Sequence, residues 1–579
     1  MCQDGLVHIA QAILPNATAE IASLVAEITA AAEKEEEEPQ ELSKNDGLVI
    51  YRGTIITMAG GKFSPAESMA VRGDTIIAVG TEDDVKQAIS SQSINNVTER
   101  DLGTKCILSG FVEPHVHLLA SAMVANLSSP SAPMIDMTYP AVQTRDSAIK
   151  KIQDAPQYNK GAWIIGFGYD PSLVDAHEEF TLTELDAVAK NNPVYIINQS
   201  GHLAYTGTGK TLTGVVKEGA VGAMAAYLPK TLALEMINNT RSTLAGWTRT
   251  GCTTVFDAGL GSIRGFWDVE TIAGLISVGH NFPRFRGALA IQTIQDDIPK
   301  FISDHSVPWK QGRVTVQGIK FWLDGSTQGF TAAVSEPYYT PPPRQQPVCG
   351  TLNYPDDDDE KKLLGYVEQL AKAGWQMVMH VNGGRAVDQA LRVLCTVSGS
   401  GMMHRLEHVT ADITVAQLTK AKETGLGVSH LVAHVRKWGR AFKGWVLGPV
   451  RGPNIDPVRD DVEVGVTYSF HSDSPVSEVE PLQYVDTAVT RKMDDGHGGT
   501  EVLGEDQTVG LEDALCGITC NPAKELGMLE DVGSLEVGKK ADFVILAVDP
   551  RGVDDGDVKE KCVVCETWVG GVRVYQASE

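Results

Sequence analysis

The sequence predicts an α/β protein: a (β/α)8 TIM-like barrel with a small β-sandwich domain built from both chain ends. Three observations predict it. Eight short apolar runs alternate with helical stretches through the middle of the chain. Glycine-punctuated, alternating strand runs stand on both sides of that middle. Histidine, lysine and aspartate fall at the C-terminal ends of the apolar runs, the face on which barrels build their sites. A doubly wound sheet is the competing topology. The count of eight and the placement of the polar residues decide against it.

Taken in order, residues 1–47 carry helical patterning, with Ile9, Ile13, Ile21, Leu24, Val25 and Ile28, and then an acidic linker, "EKEEEEPQELSKNDG". Residues 48–110 open the β-sandwich domain with "LVIYRGTIITM" and "SMAVRGDTIIAVG", read as hairpins. Residues 531–579 complete it with "GSLEVGKKADFVILAVD" and "CETWVGGVRVYQ". Residues 111–530 form the barrel. Its eight strands are read in "KCILSGFVEPHVH", "GCTTVFDAG", "RFRGALAI", "VTVQGIKFW", "WQMVMHV", "HRLEHV", "LGVSHLV" and "GVTYSFHSD". Helices are expected at Lys362–Ala373, Arg385–Thr396 and Thr414–Thr424. An insertion at about 120–240 separates the first two strands and adds two strand-like runs, "WIIGFGYD" and "PVYIINQS", over the barrel mouth.

Composition excludes several classes. The 579 residues suffice for a large core and more than one domain. A formal net charge of −25 argues against nucleic acid and anionic membranes as partners. Two acidic runs, Glu33–Glu38 and Asp356–Glu360, read as solvated linkers or loops. No segment reaches the ~18 apolar residues of a membrane span. The N-terminal stretch lacks a basic region and does not read as a signal peptide, so a cytoplasmic location is expected. Nine cysteines without a framework spacing suit a reducing compartment. Cys562 and Cys565 form a C-x-x-C read as strand packing. "AYTGTGKT" departs from a P-loop and reads as a polar loop. No G-x-S-x-G is present, which argues against a serine hydrolase.

The strand ends carry the chemistry. His115 and His117 close the first strand; in H-x-H on a strand both imidazoles point to one face and can reach one cation. Lys320 closes the fourth among Phe321, Trp322 and Leu323, where an ammonium is costly to bury. His380 closes the fifth, His408 closes the sixth, and Asp473 follows the eighth. A strand-end histidine taken singly is more often a satisfied polar residue than a ligand. Together these residues converge on one face as a candidate metal site.

These stretches resemble the amidohydrolase superfamily, in its YtcJ-like or amidohydrolase family 3 branch. "GFVEPHVHL" resembles its G-F-hydrophobic-D-x-H-x-H, and "GHLAY" its G-H-x-A segment. "GIKFWLDGSTQGFTAA", "HVNGGRAVDQAL", "HRLEHV" and "HSDSPV" resemble further segments in the same order. The resemblance spans roughly residues 48–575. Two positions depart from it: Glu113 stands where Asp is usual, and Gly384 replaces Asp in G-D-R.

The resemblance implies a metal-dependent hydrolase that cleaves an amide-type C–N bond in a small molecule such as an N-acyl, N-formyl or aryl amide. Attack would be by a hydroxide held on a divalent metal, with one or two zinc ions the first choice. By the same resemblance His115, His117 and Asp473 hold the more buried ion, and His380 and His408 the second. Lys320 bridges them as a carbamate, and Asp473 handles the transferred proton. His202, in "SGHLAY", is a catalytic or substrate contact. Glu113, Asp324, Arg405 and Glu407 support the ligands from behind, Asp324 alternatively as a loop cap. A homodimer is compatible with the family. Trp438, Phe442 and Trp445 are expected near the pocket and favour an apolar or aromatic substrate group. A deaminase of the same superfamily is the nearer alternative, but it would carry Glu three residues after His380, where Gly383 stands. A non-catalytic scaffold retaining the fold is the alternative of another class.

Overall fold

The computed structural model describes residues 47–578 except 91–96, 130–131, 133, 156–160, 175–176, 208–213, 218–230, 263–264, 278–280, 342–347 and 400. The helical extension and acidic linker, and the end of "AYTGTGKT", lie outside the described residues. Among the described residues, no helix is long and apolar enough to cross a membrane.

The barrel strands are β1 (Phe111–Val116), β2 (Cys252–Leu260), β3 (Arg284–Ala290), β4 (Val314–Trp322), β5 (Gln376–Gly383), β6 (Arg405–Ala411), β7 (Gly427–His430) and β8 (Thr467–Phe470). Each pairs in parallel with the next. The ring closes at its C-terminal rim, where Val116 bridges in parallel to Ser474. There the Asp473 amide donates to the His115 carbonyl at 3.1 Å, and the His117 amide to the Ser474 carbonyl at 3.0 Å. Strands covered on both faces need apolar side chains on both, which explains their near-continuous hydrophobic sequences. Each of the eight expected runs overlaps one of these strands.

The chain ends share one seven-stranded sheet. Its order is Val572–Gln576, Val564–Val569, Phe543–Leu546, Val97–Ser109, Leu48–Ile56, Pro65–Arg72, Thr75–Gly80. The long strand Val97–Ser109 joins the two ends, parallel to Leu48–Ile56 and antiparallel to Phe543–Leu546. Tyr51, Ile107, Phe543 and Trp568 pack into one apolar cluster there. Arg284 on β3 fastens this sheet to the barrel by a two-point bond to the Asp542 carboxylate, at 2.7 and 2.9 Å. Cys562 is buried just before a strand and Cys565 lies within it, both as free thiols.

The insertion between β1 and β2 carries a five-stranded sheet, ordered Val215–Lys217, Leu203–Gly207, Val194–Ile197, Ile164–Phe167, Ile135–Asp136. One expectation is corrected. Asp356–Glu360 is not a loop but the start of the helix Asp357–Lys372. The Asp356 carboxylate accepts from the amides of Asp358 and Asp359 at 3.0 and 2.9 Å, and the acids that follow sit at the positive end of the helix dipole. The other two expected helices are Gly384–Leu394 and Val415–Thr424, the second capped by Thr414.

Candidate metal centre

β1 and the turn after β8 supply the core of the site. His115 lies on β1, and His117 stands one residue beyond its end, at the start of the next helix. His115 Nε2 lies 3.3 Å and His117 Nε2 3.1 Å from Asp473 Oδ1. One ligand atom from each of these three buried residues lies within 4.8 Å of the other two. Asp473 and His408 both hold left-handed backbone, with φ of 53° and 76°, a cost of order 1–3 kcal/mol each that clusters at functional sites. The His115 Nδ1 edge is taken by Glu407, with which it makes a short contact. Burial, then the neighbouring Lys320, holds the His115 imidazole well below its usual range, so it is neutral with a lone pair at Nε2. Burial also opposes charge on His117, but the Asp257 and Asp473 carboxylates outweigh it and raise that imidazole.

Lys320 is fully buried at the end of β4, with Nζ 3.4 Å from His115 Nε2 and 5.5 Å from the Trp322 ring centre. His408, within β6, stands 5.0 Å from the His115 ring and 4.5 Å from the His380 ring. Burial holds the His380 and His408 imidazoles well below their usual range as well. His380 turns Nε2 to the Gly325 carbonyl at 3.1 Å. The Asn382 side-chain nitrogen lies at the same 3.1 Å from Nε2, so a carbonyl and an amide together hold that edge of the ring. His202 comes from the insertion sheet and is buried, 5.5 Å ring to ring from His380. The strand-end residues named from the sequence therefore gather in one buried cluster.

The supporting residues divide by task. Asp324 accepts from three backbone amides, Ala333 at 2.9 Å, Asn382 at 2.9 Å and Gly383 at 2.8 Å, tying the turn after β4 to the end of β5. Its Oδ1 also lies 3.5 Å from His380 Nε2, so the same carboxylate caps the loop and stands behind that imidazole. Arg405 Nη2 donates to the Pro114 carbonyl at 3.0 Å and lies 2.9 Å from Glu407 Oε1. Glu113 accepts from the Ser472 amide at 3.1 Å and the Tyr484 hydroxyl at 3.0 Å, and burial pushes it up to about 8. It thus fixes the β8 turn that carries Asp473. At Gly384 an added Cβ would stand 2.5 Å from the Asp412 carbonyl oxygen, so the Asp usual in the family has no room here.

Two residues at the centre escaped the sequence reading. His471 stacks on His115 at 4.6 Å, and His115, His408 and His471 form a second group of ligand atoms within 4.8 Å. Its signal was its spacing, two before Asp473, the same as His115 to His117. Asp257, at the end of β2, accepts from the Leu118 amide at 2.8 Å and faces His117 Nδ1 at 3.9 Å. It obeys the strand-end rule that found the others.

The donor set fits a divalent cation. Asp473 Oδ1 and both His117 ring nitrogens are buried yet make no hydrogen bond of acceptable geometry, a costly state for polar atoms. Two imidazoles and a carboxylate are ligands suited to zinc. Beside them lies a cavity of about 530 Å³, whose lining includes Ser121, Trp247, Trp438, Ser474 and Glu478. The Ser121 hydroxyl bonds that of Ser474 at 2.9 Å and the His117 carbonyl at 2.8 Å, so this wall is continuous with the centre. A second cavity of about 360 Å³ is lined by Tyr205, Phe330 and Trp445 among others. Trp438 and Trp445 thus line cavities, whereas Phe442 packs in the core against His434.

Comparison with known proteins agrees with this geometry. The chain is 25% identical to an N-substituted formamide deformylase of Arthrobacter pascens, over 91% of this chain and 98% of that protein. It is 24% identical to Protein LONG AFTER FAR-RED 3 of Arabidopsis thaliana, over 91% of each. An uncharacterized metal-dependent hydrolase of Pyrococcus horikoshii shares the fold with a TM-score of 0.62 at 23% identity, covering 88% of this chain and 99% of that one. The family model described as the amidohydrolase family matches residues 98–575. With that match running from the terminal sheet through the whole barrel and back, the chain belongs to the amidohydrolase family.

Proposed function

We propose that this protein is a metal-dependent hydrolase that cleaves an amide-type C–N bond in a small molecule. The observation that carries this reading is Asp473 Oδ1, a buried carboxylate oxygen without a hydrogen bond, facing His115 Nε2 and His117 Nε2. These three residues would hold a divalent ion, zinc being the first choice. His408 and His380 would hold a second, with Lys320 carbamylated by carbon dioxide between the two. A bound divalent metal would acidify water and polarise the substrate carbonyl.

The chain's own residues do the rest. Asp473 would take the proton of the attacking water and deliver it to the leaving nitrogen. Glu407 accepts at His115 Nδ1 and keeps the lone pair of that ring at Nε2. His202, 5.5 Å ring to ring from His380, would contact the substrate. Carbamylation would replace the Lys320 ammonium by an anion and so remove a cation from beside His115. Gly383 favours amide hydrolysis over deamination, because a Cβ there would stand 2.2 Å from the Ala333 carbonyl oxygen, leaving no room for a glutamate.

The cavity beside Ser474 supports a substrate with an apolar or aromatic substituent, because Trp247 and Trp438 contribute to its wall. The similarity to an enzyme named for N-substituted formamides agrees with such a group on the amide nitrogen. A hydrolysis screen over formamides, N-acyl amines, aryl amides, carbamates and lactams tests the reading. Turnover is expected for a substituted amide and is expected to vanish on chelation. Turnover that survives complete metal removal would overturn it.

A further inference from the structure

The two ends of the barrel sheet, β1 and β8, meet at the rim through Val116 and Ser474. Below the rim a turn from the C-terminal part of the chain ties them together. The Phe470 amide on β8 donates to the Gly517 carbonyl at 2.9 Å, and the Val112 amide on β1 to the Ile518 carbonyl at 2.9 Å. The fit is close, since a Cβ on Gly517 would stand 2.5 Å from the Phe470 ring. A cysteine stands at each end of this turn. The helix Leu511–Cys516 ends at one, and the helix Cys520–Glu525 begins at the other.

Both thiols are free, and both reach the same spot. A Cβ on Gly61 would meet Cys516 Sγ and Cys520 Sγ at 3.8 Å each. Cys516 Sγ lies 3.1 Å from the Gly61 carbonyl oxygen, and Cys520 Sγ turns back to the Cys516 carbonyl at 3.9 Å. The two residues are 6% and 5% exposed. Their cover is the turn Gly60–Gly61, exposed at Gly60 and half-buried at Gly61, with no side chains to shield the sulfurs. A regular helix holds Cβ atoms four residues apart at about 5–6 Å, wider than the roughly 3.5–4.5 Å of a disulfide. Here the helical path is broken at Thr519, with φ −128° and ψ −91°, and the constraint is lifted. The hydrogen bond between the two thiols lowers that of Cys520 and raises that of Cys516, so Cys520 is the sulfur that forms a thiolate.

We propose that Cys516 and Cys520 form a dithiol that a peroxide oxidises to a disulfide, locking the turn across the seam between β1 and β8. The Cys520 thiolate attacks one peroxide oxygen. An S–O bond forms, the O–O bond breaks, and the departing hydroxide leaves as water with the proton that Cys520 gave up. The Cys516 sulfur then attacks the Cys520 sulfenic acid. The S–S bond forms, the S–O bond breaks, and a second water leaves with the Cys516 proton. Two thiols are oxidised and one peroxide is reduced.

The test uses the full-length reduced protein, with a chelator present throughout. Hydrogen peroxide is added, the remaining thiols are alkylated in denaturant, and tryptic peptides are read by mass. Trypsin cuts after Lys492 and Lys524, so one peptide, Met493–Lys524, carries both cysteines and no other. It is expected to lose two hydrogens and both alkylation sites, and to regain both sites on treatment with dithiothreitol. Cys516→Ser should stop at the Cys520 sulfenic acid, trapped by dimedone. Should that variant fail to fold, Cys516→Ala serves the same purpose. In the oxidised wild type, amide hydrogen exchange at Val112 and Phe470 is expected to slow and to recover on reduction. A Met493–Lys524 peptide that stays doubly alkylated, or that is linked to another peptide instead, overturns the proposal. So does an oxidised protein in which exchange at those two amides is unchanged or faster.

Discussion

Asp473 Oδ1 is the atom on which the chemistry turns. It is buried, carries no hydrogen bond, and is held on a left-handed backbone between two imidazoles. Asp473→Asn keeps the shape but removes the charge and the proton acceptor. It is expected to lower hydrolysis on the order of 10²–10⁴-fold and to lower bound metal, read by turnover and metal analysis together. Glu113 gives a pH prediction. Its folded value of about 8 lies above the ordinary 4.5, so its contribution to stability is full below about pH 4.5 and is lost as pH rises toward 8. Between pH 5 and 8 the metal-free wild type should therefore lose stability relative to Glu113→Gln, by up to about 1.4 kcal/mol per pH unit, in urea midpoints. Most of this site was legible in the sequence because residue type and strand end suffice to place a ligand in a barrel. His471 was not picked out, because a histidine in mid-motif reads as an ordinary polar residue until its stacking on His115 is seen.

At the scale of elements, the helix Asp357–Lys372 shows how composition misleads. Four aspartates and a glutamate read equally well as a solvated loop or as a helix start. What decides is that Asp356 stands just before the first turn, where its carboxylate meets two unpaired amides. The start of the helix Gly384–Leu394 is the more exacting element. Its first residue packs against the backbone after β6 so closely that a Cβ would stand 2.5 Å from the Asp412 carbonyl oxygen. Gly384→Asp, although it recreates the family's usual residue, is therefore expected to destabilise the protein by about 1–3 kcal/mol, read as a lower thermal midpoint. A stability equal to wild type would show that the β6 turn can give way. The family pattern alone would have suggested the opposite sign.

For the whole molecule, the eight strands were legible because each is short, apolar and bounded. The union of the two chain ends was legible in their matching alternation. The cavity was not legible, since it is walled by the helix after β1, the insertion sheet, the helix Thr231–Arg249 and the β8 turn, segments related only by the fold. The barrel gathers the strand-end ligands because its rim closes at Val116 and Ser474, beside His117 and Asp473. The central claim is that this closure builds a divalent-metal centre. Calorimetric titration of zinc into chelator-stripped, full-length protein tests it most directly. Saturable binding at a stoichiometry of one or two ions, abolished or strongly weakened in His117→Ala and Asp473→Asn, is the result predicted. A folded wild type that takes up no divalent ion, or one whose uptake those substitutions leave unchanged, would contradict it.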